Sequence, residues 1–184
     1  MSPAGDHTDD YYKETENSRT AAVLALLNRV DDYLYITFIR RASHPKDLHA
    51  GQISFPGGGI DSDESLIACA LRETEEETGI DRQKINIIGS LSPLYVFASD
   101  NMVYPFVGFY DGKPLFKPDP QEVAAIINIP LTYMMRPEIV SLTELTMRGH
   151  ILPRVPYYDV NGHVLWGATA MMMAELIHLC QEIS

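Results

Sequence analysis

From Arg19 onward, apolar and polar positions group into runs whose period distinguishes strands from helices. RTAAVLALLN and YLYITFIRR are rich in β-branched and aromatic residues, and Arg29-Val30-Asp31-Asp32 between them predicts a hairpin. A polar loop, ASHPKDLHAG, leads to a short strand over Gln52 to Phe55 that runs into Pro56-Gly57-Gly58-Gly59. At Ser62 the period changes. Ser62 or Asp63 is placed to cap a helix whose apolar face holds Leu66, Ile67, Ala70 and Leu71, and Gly79 stops it. INIIGSLSPLYV and MVYPFVGFY read as strands, the second a buried one. Pro118-Asp119-Pro120 breaks the chain before Glu122–Ile127, an apolar segment whose pattern leaves helix and strand open. Leu131–Met135 predicts a short helix, and residues 139–166 predict β-structure with turns at Arg148-Gly149 and Asn161-Gly162. GATAMMMAELIHLCQEI closes the chain as a helix with apolar residues three and four apart. In it Met171-Met172-Met173 and Leu176 read as a core stripe, and Trp166 just before it as a core anchor.

Strands, one long helix, more strands and a closing helix make an α/β protein, with helices covering a mixed β-sheet in an α/β/α sandwich. A chain of 184 residues suits one domain, expected over residues 19–184. Before it lies MSPAGDHTDDYYKETENS, residues 1–18, polar, acidic and without large aliphatic side chains, which reads as a flexible tail. No internal repeat is visible.

Composition narrows the function. Hydrophobic residues make up 46% of the chain, enough for a proper core, yet no apolar run approaches the roughly 18 residues that span a bilayer. The N-terminus has neither the basic start nor the apolar stretch of a secretory signal, so a cytoplasmic protein is expected, with no membrane partner. Cys69 and Cys180 are far apart and read as buried or half-buried reduced thiols. A net charge of −11 excludes a nucleic-acid binder that works by neutralising phosphates. It leaves room for a small phosphorylated substrate, provided divalent cations sit between carboxylates and phosphates.

The acids are concentrated in GGGIDSDESLIACALRETEEETGI, residues 57–80. Glu73, Glu76 and Glu77 stand at i, i+3 and i+4, which puts three carboxylates on one helical face within about one turn. Like charges so close repel by several tenths of a kcal/mol per pair. A helix places acids this way where solvent screens them or where cations bind them. A solvated face needs no glycine turn before the helix, no Arg72 beside the acids and no Gly79 directly after them. Arg72 is able to hold one glutamate in a bidentate contact and fix its orientation.

With these residues the sequence resembles the Nudix family, whose box is G-x5-E-x7-R-E-U-x-E-E-x-G-U, U being a bulky aliphatic residue. Here Gly58, Glu64, Arg72-Glu73-Thr74, Glu76-Glu77 and Gly79-Ile80 fill it, with Thr74 at an aliphatic position as the one departure. The resemblance implies a Nudix fold and hydrolysis of a diphosphate bond with Mg²⁺ or Mn²⁺. It implies Glu73 and Glu77 as metal ligands, and Glu76 as a further ligand or the residue that positions the attacking water. Glu64 is implied to be structural, bonded to Arg72 or reaching metal through water, and Arg72 completes the catalytic set. The general base in this family often lies outside the box, and Glu122 is the candidate here. Gly57 and Gly58 let backbone come close to metal and phosphate. The chemistry agrees: an anionic diphosphate repels hydroxide, so its hydrolysis needs cations that neutralise its oxygens and acidify a bound water.

Upstream of the box lies a second resemblance, to the coenzyme A diphosphatase branch, with its pattern LLTxR-[SA]-x3-R-x3-G-x3-FPGG. Arg41-Ala42 and Gly51-Gln52-Ile53-Ser54-Phe55-Pro56-Gly57-Gly58 fit it. Ile39 stands where threonine is usual, Lys46 replaces the second arginine, and one extra residue separates Lys46 from Gly51. Leu91-Ser92-Pro93-Leu94-Tyr95, Pro130-Leu131 and Trp166-Gly167-Ala168-Thr169-Ala170 resemble the same branch, so the likeness covers roughly residues 19–180. It implies that coenzyme A and water give 4′-phosphopantetheine and 3′,5′-ADP. Arg40, Arg41, His44, Lys46 and His49 form a local positive cluster in an acidic chain, and Arg41 and Lys46 are the expected substrate contacts. His150, His163 and His178 read as surface or core histidines. The expected partner is a small nucleotide of the coenzyme A kind, with a homodimer compatible with the sequence. Other Nudix substrates, such as ADP-ribose or a nucleoside triphosphate, and a non-catalytic binding module stay open as alternatives.

Overall fold

A computed structural model describes residues 18–42, 51–147 and 150–183 of the chain. Residues 1–17 of the expected tail, the loop residues His44, Lys46 and His49, and the expected turn at Arg148-Gly149 lie outside the described residues.

The first strand, β1 (Arg19–Val30), carries apolar residues on both faces and is almost wholly buried. A strand of this kind needs cover on both sides. Ala21, Ala25 and Leu27 point into one core, while Ala22, Leu24 and Leu26 point into another. The helix α1 (Leu66–Thr78) covers the second core through Cys69 and Ala70, and α3 (Gly167–Ile183) covers the first through Met172, Met173 and Leu176. The expected α/β/α sandwich is what forms.

Around β1 the sheet is mixed. β2 (Tyr33–Arg41) pairs with it antiparallel across the turn Asp31-Asp32, in which Asp31 takes a positive φ of 54°. β7 (Asn101–Tyr110) runs parallel on the other side, so that Arg19 lies opposite Asn101. β3 (Ile53–Ser54) pairs antiparallel with the end of β2, β4 (Gly57–Gly59) pairs with the start of β1, and β5 (Ile85–Ser90) and β6 (Leu94–Val96) pair with β7. The segment left open between helix and strand is a strand, β8 (Val123–Pro130), antiparallel to β2. It is followed by the short helix α2 (Leu131–Met134). β9 (Val140–Met147), β10 (His150–Val160) and β11 (His163–Leu165) form a separate three-stranded sheet, which the sequence pattern does not distinguish from the main one.

Two details of α1 differ from expectation. Its N-cap is Ser65, not Ser62 or Asp63: Ser65 has extended backbone and its Oγ accepts from Ala68 N at 3.2 Å, whereas Asp63 takes a positive φ of 70° in the preceding turn. Its inward face holds Cys69, Ala70, Thr74, Glu77 and Thr78, while Ile67 is 41% exposed. Buried threonines are tolerated because each hydroxyl donates to the carbonyl one turn back, Thr74 to Ala70 and Thr78 to Thr74. Thr74, the departure from the box, is therefore satisfied within the core.

Phe38 of β2 and Phe55 stack face to face, ring centroids 5.1 Å apart, and pin the chain as it enters the glycine turn. At the other end of β1, Asn28 donates to Thr37 Oγ1 at 3.1 Å and to Asn128 Oδ1 at 2.9 Å, and Asn128 donates back at 3.1 Å. This triad, with Asn28 and Thr37 buried and Asn128 half-buried, joins β1, β2 and β8 in one register. Replacing Asn28 alone by leucine is expected to lower the unfolding free energy by about 2–4 kcal/mol, because partners lose their bonds inside the core. Replacing Asn28 and Asn128 by leucine and Thr37 by valine together is expected to cost less than that single change. Urea titration of both variants checks it, and a larger loss in the triple variant contradicts it.

Candidate active site

β4 brings the glycine turn against β1 and α1 at once. Gly57 has a φ of 151°, and a Cβ there would stand 2.4 Å from the Ala22 carbonyl oxygen and 2.5 Å from the Val23 Cα, well inside van der Waals contact. Only glycine lets the turn lie this deep. Its N–H donates to Glu77 Oε2 at 2.8 Å. At Gly58, a Cβ would stand 2.5 Å from the Glu73 carboxyl carbon, so the Glu73 carboxylate rests directly on the turn.

Glu77 is 2% exposed, the most buried acid among the described residues. Burial raises its pKa to about 8; the Gly57 N–H and Arg41 oppose the rise, and the charges of Glu73 and Glu122 add to it. Glu73 is also raised, first by burial and then by Glu76 and Glu122, with Arg72 pulling the other way. Glu122 is distant in sequence but reaches the same field: the Ala42 N–H donates to its carbonyl at 2.8 Å, which ties the start of β8 to the end of β2. Arg41 lies on that same strand end, Nη1 3.7 Å from Glu77 Oε1 with its side chain 32% exposed.

Arg72 is the counter-charge of the helix. It grips Glu64 with both arms, Nε to Oε2 at 3.2 Å and Nη2 to Oε1 at 2.7 Å, as expected of a bidentate pair. This contact and the Asp61 N–H hold Glu64 down at about 2. Nη1 of Arg72 also donates to Glu73 Oε1 at 2.7 Å and Glu76 Oε2 at 3.1 Å, and Nη2 donates to the Gly59 carbonyl at 3.3 Å. The glutamates Glu73, Glu76 and Glu77 thus divide: Glu77 is sealed in, Glu73 is half-buried, and Glu76 stands at the rim with its side chain 54% exposed.

Among the described residues no three His, Cys, Asp or Glu side chains converge closely enough to form a coordination cluster. Glu73 and Glu76 are each paired with Arg72. The donor set still fits a hard divalent cation. Carboxylate oxygens are the ligands Mg²⁺ and Mn²⁺ prefer, and a carboxylate as buried as Glu77 gains from a positive charge beside it.

Of the residues expected from the sequence, Glu73, Glu76, Glu77, Gly57, Gly58 and Arg72 lie together on the helix and its turn, and Arg41 and Glu122, also expected, approach them from the ends of β2 and β8. Lys46 lies outside the described residues. Two elements of the site had no sequence signal: the Ala42–Glu122 backbone bond, and Cys69, whose thiol lies under the glycine turn.

A model of the NUDIX domain family matches residues 17–146. An "Uncharacterized Nudix hydrolase NudL" of Photorhabdus laumondii is 36% identical over 169 residues, covering 91% of this chain and 88% of the relative. A protein of the same description from Yersinia pestis is 34% identical over 178 residues, 96% of this chain and 85% of the relative. Among solved structures, the Nudix hydrolase RenU of M. smegmatis superposes with a TM-score of 0.62 at 13% identity, over 91% of this chain and 88% of that one. A MutT/nudix family protein from Listeria innocua gives 0.57 at 18% identity, over 92% and 97%. At such identities the two structures share the fold.

Glu77 sets a pH dependence. Its pKa rises from an ordinary 4.5 to about 8 on folding, so the folded chain holds this proton more tightly than the unfolded chain. The associated stability is complete below about pH 4.5 and is lost as pH climbs toward 8, with a slope of at most about 1.4 kcal/mol per unit. In chelator-treated protein, Tm is expected to fall between pH 5 and 8 more steeply for the wild type than for Glu77→Gln. Parallel curves would contradict the burial of this carboxyl.

Proposed function

This chain belongs to the Nudix family, and from that premise we propose that it hydrolyses the diphosphate bond of coenzyme A or a derivative, giving 4′-phosphopantetheine or its acyl form and 3′,5′-ADP. One observation carries the metal-dependent part of the reading: the buried Glu77, the half-buried Glu73 and the remote Glu122 share one electrostatic field beside a turn stripped of side chains. Carboxylates are brought together against their mutual repulsion where a cation joins them.

Glu73 and Glu77 would hold the Mg²⁺ or Mn²⁺, with Glu76 at the rim as a further ligand. When bound, the metal neutralises phosphate oxygens and lowers the pKa of a coordinated water. The chain's own residues supply the rest. Glu122, outside the grip of Arg72, is the base that accepts the proton of the attacking water. Arg72 keeps Glu73 and Glu76 in place while Glu64 anchors Arg72 itself. Gly57 and Gly58 bring the backbone of the turn against Glu77 and Glu73, where a phosphate drawn to the metal would meet it, and Arg41 at the edge offers a guanidinium to the anionic substrate. Two features support coenzyme A as substrate: the Arg41-Ala42 to Phe55-Pro56-Gly57-Gly58 pattern ahead of the box, and the position of Arg41 beside the glutamates.

Glu77→Gln is expected to lower kcat by at least about two orders of magnitude, and Glu122→Gln to lower it with a smaller loss of metal affinity. Glu77→Gln should keep or raise Tm in metal-free protein, since the cost of ionising a buried carboxyl as pH rises is removed. Steady-state kinetics and thermal melts check both; near-native turnover by Glu77→Gln would end the metal-site reading. For the substrate, coenzyme A, acyl-coenzyme A, ADP-ribose and nucleoside triphosphates should be compared with Mg²⁺ and Mn²⁺ and the products identified. Coenzyme A or its thioesters are expected to give the highest kcat/KM, and a tenfold preference for ADP-ribose overturns that choice.

A further inference from the structure

Cys69 occupies a position at which the box prescribes no residue, and its side chain is fully buried. It is nevertheless aimed at the site. Its Sγ lies 3.4 Å from the Gly59 carbonyl oxygen and 3.6 Å from that of Gly58, distances at which a thiol donates a weak hydrogen bond. Arg72 Nη2, 3.8 Å from the same sulfur, donates to the same Gly59 carbonyl. The thiol is pushed up to about 11 by burial and by the charge of Glu64, so it keeps its proton at neutral pH.

We propose that Cys69 is a positioning residue of this hydrolase: its S–H holds the Gly58 and Gly59 carbonyls from beneath, and through the turn it sets the two glutamates that rest on it. The route is short. Gly57 N–H fixes Glu77, and the Gly58 backbone is packed against the Glu73 carboxylate, so a turn that rocks carries both acids with it. Arg72 restrains the turn from outside, where it is 20% exposed, and Cys69 restrains it from the dry side, where water has no access to replace a lost donor.

The competing role for a buried cysteine is to fill space, and substitution separates the two. Cys69→Val fills the volume without a donor; Cys69→Ser keeps a donor in less volume; Cys69→Ala has neither. Binding of Mn²⁺ alone is read by electron paramagnetic resonance, and kcat and KM for coenzyme A at saturating Mn²⁺. Val and Ala are expected to weaken Mn²⁺ binding and lower kcat by about three- to tenfold with KM little changed, as for a lost buried hydrogen bond, and Ser to recover most of both. A Val variant equal to the wild type, with Ser no better than Ala, overturns the proposal. Should Val or Ala fail to fold, the Raman difference between wild type and Cys69→Ser decides: an S–H band displaced below that of a thiol in water supports the bond, and an undisplaced band overturns it. The inference rests on the metal-hydrolase reading. A wild type that takes up no Mn²⁺ ends both, whereas uptake and turnover indifferent to residue 69 end this inference alone.

Discussion

A carboxylate that has left water needs compensation, and in this protein the carboxylate of Glu77 has left it almost completely. Its closest fixed partner is one backbone N–H, that of Gly57, with the Arg41 guanidinium farther off. Much of the local architecture follows from supplying that one donor. The turn must lie against β1 with no side chain between them, which is why Gly57 lies where a Cβ would strike Ala22 and Val23. The stacked rings of Phe38 and Phe55 hold the chain at that depth, and Ser65 starts the helix at the point from which Glu77 reaches the turn.

The other acids are managed by charge. Arg72 divides its donors among Glu64, Glu73, Glu76 and the Gly59 carbonyl, so the repulsion within the helix is balanced by one cation that is itself anchored on Glu64. A salt link of this multiplicity, only partly exposed, is worth more than the usual isolated surface pair. It also explains why a chain with a net charge of −11 packs four acids around one turn: the repulsion is local and so is its compensation. Glu122 is outside that arrangement.

Pattern reading succeeds where neighbours in sequence are neighbours in space. The β1–β2 hairpin, the short helix at Leu131 and the closing helix all depend on contacts a few residues apart. It fails where burial is decided by a distant segment. Of the expected apolar set, Leu66, Ala70 and Leu71 pack on the core, yet Ile67 is exposed and Thr74, Glu77 and Thr78 face inward. That orientation is set by the Gly57–Glu77 bond and by the packing of Cys69 and Ala70 on β1, neither of which leaves a mark on helical periodicity. Likewise β9, β10 and β11 read as ordinary strands, and only their pairing partners reveal a second sheet.

The residues alone determined that this chain has an α/β core with one acidic helix behind a glycine turn. The spacing of Gly58, Glu64, Arg72, Glu73, Glu76, Glu77 and Gly79 is a local property, carried by the pitch of a helix and the freedom of a turn. Tertiary structure decided which of three equivalent-looking glutamates is buried, which is shared with Arg72 and which faces solvent. It also decided that Arg41 and Glu122 stand beside them and that a thiol lies under the turn. Those outcomes depend on dielectric surroundings and on close approach of segments tens of residues apart, and neither is encoded by the order of side chains within one element.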